Sequence, residues 1–135
     1  MSPSLRALVW FATWTLVLAF VMVNHRVYFV LTGQRKINSF TPDGAAVSAF
    51  QARACRAHAN CYENLPVFAA LILAAVVAGR SAITDPLAMV AVYARMVQST
   101  VHLISISQGA VAIRATFYTL QMLIMVWWVW RLLGA

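Results

Sequence analysis

The first apolar run decides what this chain can fold into. Past Arg6, residues 5–31 are interrupted only late, by Asn24, His25 and Arg26, and the run exceeds the roughly 20 residues a helix needs to cross the hydrocarbon of a bilayer. In lipid every backbone N–H and C=O must find its partner within the segment, so a run of this kind is a helix. It is too long and too weakly basic at its start for a cleaved signal and reads as a retained span. Further spans are expected at about residues 47–79, 84–106 and 112–133. Composition agrees: 63% of the 135 residues are hydrophobic, against about 45–50% in soluble domains, and four crossings use about 80 residues. The expected fold is an all-α polytopic membrane protein forming a single four-helix bundle. No separate soluble catalytic domain fits, so any chemistry lies among the helices or at their ends.

Between the spans the turn chemistry is local. Residues 32–46 hold Gly33, Gln34, Arg35, Lys36, Asn38, Pro42, Asp43 and Gly44 and read as the one long loop. The second span has a polar first half, and at about 32 residues it would measure roughly 48 Å, so its start should project beyond the hydrocarbon. Gly79 ends it, and Asp85 with Pro86 suits the first turn of the third helix. Ser107 to Ala110 are expected to make a short turn at Gly109. Trp127, Trp128 and Trp130 near the chain's end resemble an interfacial aromatic belt.

Charge sets the orientation. The net charge of +7 comes from 10 Lys+Arg against 3 Asp+Glu. In a membrane chain such an excess reports topology and anionic headgroups, and nucleic acid is not an expected partner. Arg26, Arg35, Lys36, Arg53, Arg56 and Arg114 fall on the side of the first loop, against Arg6, Arg80 and Arg131 on the other. The loop is therefore expected in the cytoplasm and both termini outside it; in a bacterial cell this means the inner membrane. Cys55 and Cys61, about 240° apart on one helix, cannot bridge each other and read as reduced packing residues.

Three of the spans carry polar stripes. Arg53, Arg56, Asn60, Glu63 and Asn64 fall inside an arc of roughly 100° on the second helix. Arg95, Gln98, Ser99, His102 and Ser105 share about 120° on the third, and Arg114, Tyr118 and Gln121 about 60° on the fourth. Charges at membrane depth are costly and should face the interior with partners. Glu63 and Arg95 lie at heights of roughly 24 and 18 Å, so they read either as an ion pair locking two helices or as ligand contacts. Arg53, Arg56, Arg95 and Arg114 outnumber the one acid among them, and this surplus implies an anionic ligand gripped by guanidinium forks. His58 points about 140° from the stripe and can serve such a ligand only across to a neighbour. His102 reads as a hydrogen-bonded structural residue or a proton carrier, and His25 with Arg26 as an interfacial anchor. No spacing of His, Cys and carboxylates builds a metal site, and no Gly-rich phosphate loop or Ser/His/Asp set is present.

The stretch from Arg53 to Pro66, with Arg53, Arg56, His58, Asn60, Glu63 and Pro66, resembles the second-helix signature of the membrane-associated proteins in eicosanoid and glutathione metabolism, the MAPEG family. Gly33-Gln34-Arg35-Lys36, Arg95, and Ile113-Arg114-Ala115-Thr116-Phe117-Tyr118-Thr119 extend the likeness over nearly the whole chain, the last being similar to the start of the fourth helix in the family's prostaglandin E synthases. The resemblance implies a homotrimer that binds glutathione at each subunit interface near the cytoplasmic face. Arg56, His58, Asn60, Glu63, Arg95 and Tyr118 would hold the tripeptide, with Arg35 or Lys36 near one carboxylate and Glu63 near the amine. Arg114 matches the arginine that stabilises the thiolate. Ala59 stands where some relatives have arginine, His102 where the eicosanoid enzymes have tyrosine, and Ala115 where the prostaglandin E synthases have serine. These departures argue against prostaglandin isomerisation. The expected activity is a glutathione-dependent membrane transferase or peroxidase whose lipophilic small-molecule substrate enters from the lipid bilayer. The alternative is a non-enzymatic member that binds glutathione or another small anion without turnover. A small multidrug exporter would need an acid in the middle of the first span, which has none, and a quinone-linked thiol oxidase would need paired cysteines.

Overall fold

The computed structural model describes residues 1–134, and its four helices run in the order α1 (Pro3–Leu31), α2 (Ala49–Val77), α3 (Asp85–Ile104) and α4 (Gln108–Leu133). A single 3-10 turn, Ser81–Ile83, joins α2 to α3. All four helices are long and apolar enough to cross a membrane, and the chain is a multi-pass membrane protein. The ends follow from side-chain caps. Ser2, Ser48 and Ser107 each accept the N–H three residues on, from Leu5, Gln51 and Ala110 at 3.2, 3.0 and 3.2 Å, satisfying a donor that the first helical turn leaves open. The last of these corrects the expected turn at Ser107 to Ala110. The Ser107 cap starts α4 at Gln108, Gly109 lies in its first turn, and only residues 105–107 connect α3 to α4. At the other ends, Gly33 (φ +72°) and Gly79 (φ +67°) close α1 and α2. Pro66 lies inside α2 without ending it.

The helices meet along narrow seams. On α1 the buried positions are Ser4, Ala7, Phe11, Thr15 and Leu18, a three-and-four spacing that keeps one stripe against its neighbours. Alanines at 7, 57, 88 and 91 are fully buried and let backbones approach closely, which is how helices associate when lipid is as apolar as the side chains. Phe11 packs edge-on against Phe68 with centroids 5.0 Å apart, and Phe68 in turn lies 5.7 Å from Trp128. Trp128 is thus no part of an aromatic belt: it is 0% exposed, whereas Trp127 and Trp130 are 38% and 66% exposed. With 3.6 residues per turn, position 128 falls on the same face as buried Gln121, Ile124 and Met125. The outer faces carry Leu16, Phe20, Leu123 and Val126, as lipid contact requires.

The end of the bundle that holds the N-terminus is pinned by Asp85. Its Oδ1 accepts the Ser4 N–H at 3.0 Å and the Ser4 hydroxyl, while Ser4 Oγ lies 2.7 Å from Thr84 Oγ1. At the opposite end His25 and Arg26, expected as an interfacial anchor, fasten the long loop. His25 Nε2 is 3.0 Å from Ser48 Oγ, and Arg26 Nη2 donates to Thr41 O at 3.1 Å with its guanidinium 5.5 Å from the Phe40 ring. The Thr41 hydroxyl and the Ala45 N–H bind Asp43 and hold its carboxyl below the usual range. Gly44 has φ +69°, and a Cβ there would lie 2.8 Å from Gln51 Cγ and O and 2.9 Å from Cys55 Sγ. Gly44→Ala is expected to cost about 1–3 kcal/mol and to speed proteolysis of the loop, whereas Gly33→Ala, in open space, should cost only its backbone strain. Cys55 and Cys61 are both free and buried.

Candidate functional site

The polar stripes of α2, α3 and α4 meet at the loop end of the bundle. Arg53, Arg56 and Asn60 of α2, Gln98 and His102 of α3, and Arg114 and Tyr118 of α4 line one cavity of about 670 Å³. They converge because each sequence stripe faces the other two across the seam. Ala49 and Ala52 of α2, Ile106 in the α3–α4 connection, and Val111, Ala115 and Thr119 of α4 complete its wall, so α2 and α4 each contribute both polar and apolar lining. Three arginines and no carboxylate line it.

The arginines are held differently. Arg53 Nε donates to Leu103 O at 2.8 Å, in the last turn of α3, where the negative end of the helix dipole favours a cation. That bond orients the rest of the guanidinium toward the cavity. Arg56 is exposed and Arg114 half-buried. The N-terminal half of α4 forms this wall, so its positive dipole end adds to the same potential. His102 is 6% exposed, and its Nδ1 is buried without a partner.

Arg95 lies behind the wall. It is 1% exposed, with its guanidinium 5.2 Å from the Tyr118 ring centroid and 6.0 Å from that of Phe11. Nη1 donates to Gln98 Oε1 at 3.1 Å, while Nε and Nη2 have no partner. The Glu63–Arg95 ion pair suggested by helix heights is not formed, since Glu63 is exposed. Arg95 therefore meets the cavity through Gln98 and Tyr118. One layer deeper, Ser99 Oγ donates to Arg95 O at 2.8 Å and lies 3.4 Å from Cys61 Sγ.

Of the residues singled out from sequence, Arg56, Asn60, Arg114 and Tyr118 share this cavity, whereas Arg35, His58, Glu63 and Arg95 do not line it. Arg35 is half-buried in the long loop. His58 sits half-buried on α2 with its ring 5.1 Å from Tyr62, and Glu63 lies one turn beyond Asn60 toward the outer face. Arg53 belongs to the arginine surplus read as gripping an anion, and Gln98 and His102 stand on the α3 stripe; none of the three is in the ligand set that the resemblance implies, and the stripe angle alone places Gln98 and His102 here. Ile106 and Val111 carry no such signal. Among the described residues no group of three His, Cys, Asp or Glu side chains converges as a metal site would require.

The family model for MAPEG matches residues 4–134. No curated protein and no solved structure matches the chain significantly.

Proposed function

The chain belongs to the MAPEG family, and from that premise we propose that it is a glutathione-dependent membrane transferase or peroxidase acting on lipophilic electrophiles. The observation that carries this reading is the cavity with three arginines and no acid. Glutathione brings two carboxylates, and guanidinium forks bind carboxylates in paired hydrogen bonds. In this reading Arg53 and Arg56 take the carboxylates, Asn60 and Gln98 the peptide groups, and Arg114 stands at the thiol. The deprotonated sulfur forms a bond to the electrophilic carbon while the leaving group departs with its electron pair. Ile106 and Val111 give the second substrate an apolar approach from the bilayer.

The ligand's ammonium finds no carboxylate in this cavity. Glu63 and His58 do not line it, so in this reading they would serve the ligand of an adjacent subunit, as in a homotrimer with glutathione at each interface. The loop end, with Arg26, Arg35 and Lys36, is assigned to the cytoplasm by the same excess of basic residues that flanks the cavity.

Calorimetric titration of the protein in neutral detergent tests the binding step. Glutathione is expected to bind about tenfold or more tighter than its dimethyl ester, because each charged hydrogen bond is worth about 1.5–3 kcal/mol. Equal affinity for acid and ester would remove the anion-binding reading. Tight binding with neither conjugation of any electrophile nor reduction of a lipid hydroperoxide would assign the chain to the ligand-binding alternative.

A further inference from the structure

Among the described residues that line the arginine cavity, His102 alone has a side chain that exchanges a proton near neutrality. The other titratable lining groups are Arg53, Arg56, Arg114 and Tyr118. A guanidinium stays charged throughout, and a phenol keeps its proton to about pH 10. Arg95, the other ionisable group on the polar stripe of α3, lies behind the wall, and α1 contributes no residue to the lining.

The ring is not tied into the packing. A buried polar atom that serves the core is hydrogen-bonded, whereas Nδ1 of His102 is buried without a partner. That nitrogen is closed off, so a proton that the ring exchanges with a ligand passes through Nε2. His102 stands in the last turn of α3, where the negative end of the helix dipole favours a cation. Only residues 105–107 separate α3 from α4, and Arg114, in the second turn of α4, lines the same cavity. Charge ties the proton to the ligand. Three arginines oppose a fourth cation among them, and the two carboxylates of glutathione offset that charge. Moving a proton from sulfur to imidazole leaves the net charge of the complex unchanged.

We propose that His102 Nε2 takes the proton of the bound glutathione thiol and returns it to the leaving oxygen of a hydroperoxide. This role rests on the glutathione reading above. The S–H bond breaks with its electron pair left on sulfur beside Arg114. The thiolate bonds the outer oxygen of the hydroperoxide, the O–O bond breaks with its pair on the inner oxygen, and the imidazolium protonates that oxygen to an alcohol. A second glutathione converts the resulting sulfenic acid to the disulfide and water. Arg114 holds the anion and His102 moves the proton, because a guanidinium does not give up its own.

Calorimetry of the full chain in neutral detergent, at neutral pH and in two buffers of different ionisation enthalpy, counts the protons released when glutathione binds. S-methylglutathione, which has no thiol proton, is the control, and ultraviolet absorbance measures the thiolate. The parent is expected to form the thiolate with almost no proton released, and His102→Gln to release close to one for each thiolate formed. Reduction of cumene hydroperoxide by His102→Gln should fall about 10²-fold, and conjugation of chlorodinitrobenzene less, because chloride departs without a proton. In the parent, one proton released per thiolate, or bound glutathione that keeps its thiol, overturns the proposal without recourse to a variant. An equal fall of the two rates in His102→Gln overturns it as well. Glutathione that fails to bind overturns the reading beneath it too, whereas binding with the thiol proton lost to buffer overturns this role alone.

Discussion

Arg114→Ala is expected to lower the turnover of glutathione conjugation about 10²–10³-fold while glutathione affinity changes only a few-fold. The size follows from the loss of a charged donor at the atom where negative charge must be held. A cation beside a thiol favours its ionised, nucleophilic form, and Arg114 is the half-buried arginine that α4 contributes to the cavity, one turn from Tyr118. Steady-state rates at saturating glutathione, read together with the ultraviolet absorbance of the bound thiolate, separate the two effects. Arg114→Lys retains the charge but not the fork and should fall between. Turnover within a few-fold of the parent in Arg114→Ala, with thiolate absorbance unaltered, would take Arg114 out of the chemistry.

The second large effect concerns the bundle itself. Trp128→Ala is expected to cost about 3–5 kcal/mol, the range for deleting a buried aromatic and leaving a cavity, because the indole is 0% exposed and in contact with Phe68, which also packs on Phe11. In lipid the loss is of packing contacts more than of solvent exclusion. Trp130→Ala, at a residue 66% exposed, should stay within about 0.5 kcal/mol. Unfolding in mixed micelles with increasing sodium dodecyl sulfate measures both variants. Equal costs for the two would place Trp128 outside the core.

The two tryptophans show what a sequence carries and what it leaves open. Position along a helix was legible: the cluster at 127–130 does sit at one end of the bundle. Whether an individual ring faces lipid or core turns on about 100° of rotation per residue, and that depends on which side of α4 meets its neighbours. The same distinction separates the site residues. The stripes of α2, α3 and α4 were wide enough to identify the interior face, and Arg56, Asn60, Arg114 and Tyr118 indeed share a cavity. An arc of about 100° nevertheless has an inner and an outer edge: Asn64 is buried, and Glu63 beside it is exposed. The match in height between Glu63 and Arg95 compared positions along the axes only, so it could not reveal that the side chains diverge. For α4, the Ser107 hydroxyl was the stronger signal and Gly109 the weaker, because a glycine in a first turn disturbs little while a filled cap satisfies a donor.

The four spans and their class were determined by the sequence itself, since a helix in lipid pairs its backbone groups within one segment and needs only length and apolar side chains to do so. Family membership likewise follows from the sequence, through the match over residues 4–134. The tertiary structure decided which arginines stand together. It set Arg53, Arg56 and Arg114 around one cavity, placed Arg95 behind Tyr118, and brought Arg80 to the end of α4. Those relations depend on how each helix is rotated about its axis and seated on the next, and that rotation is fixed by contacts between residues far apart in the chain.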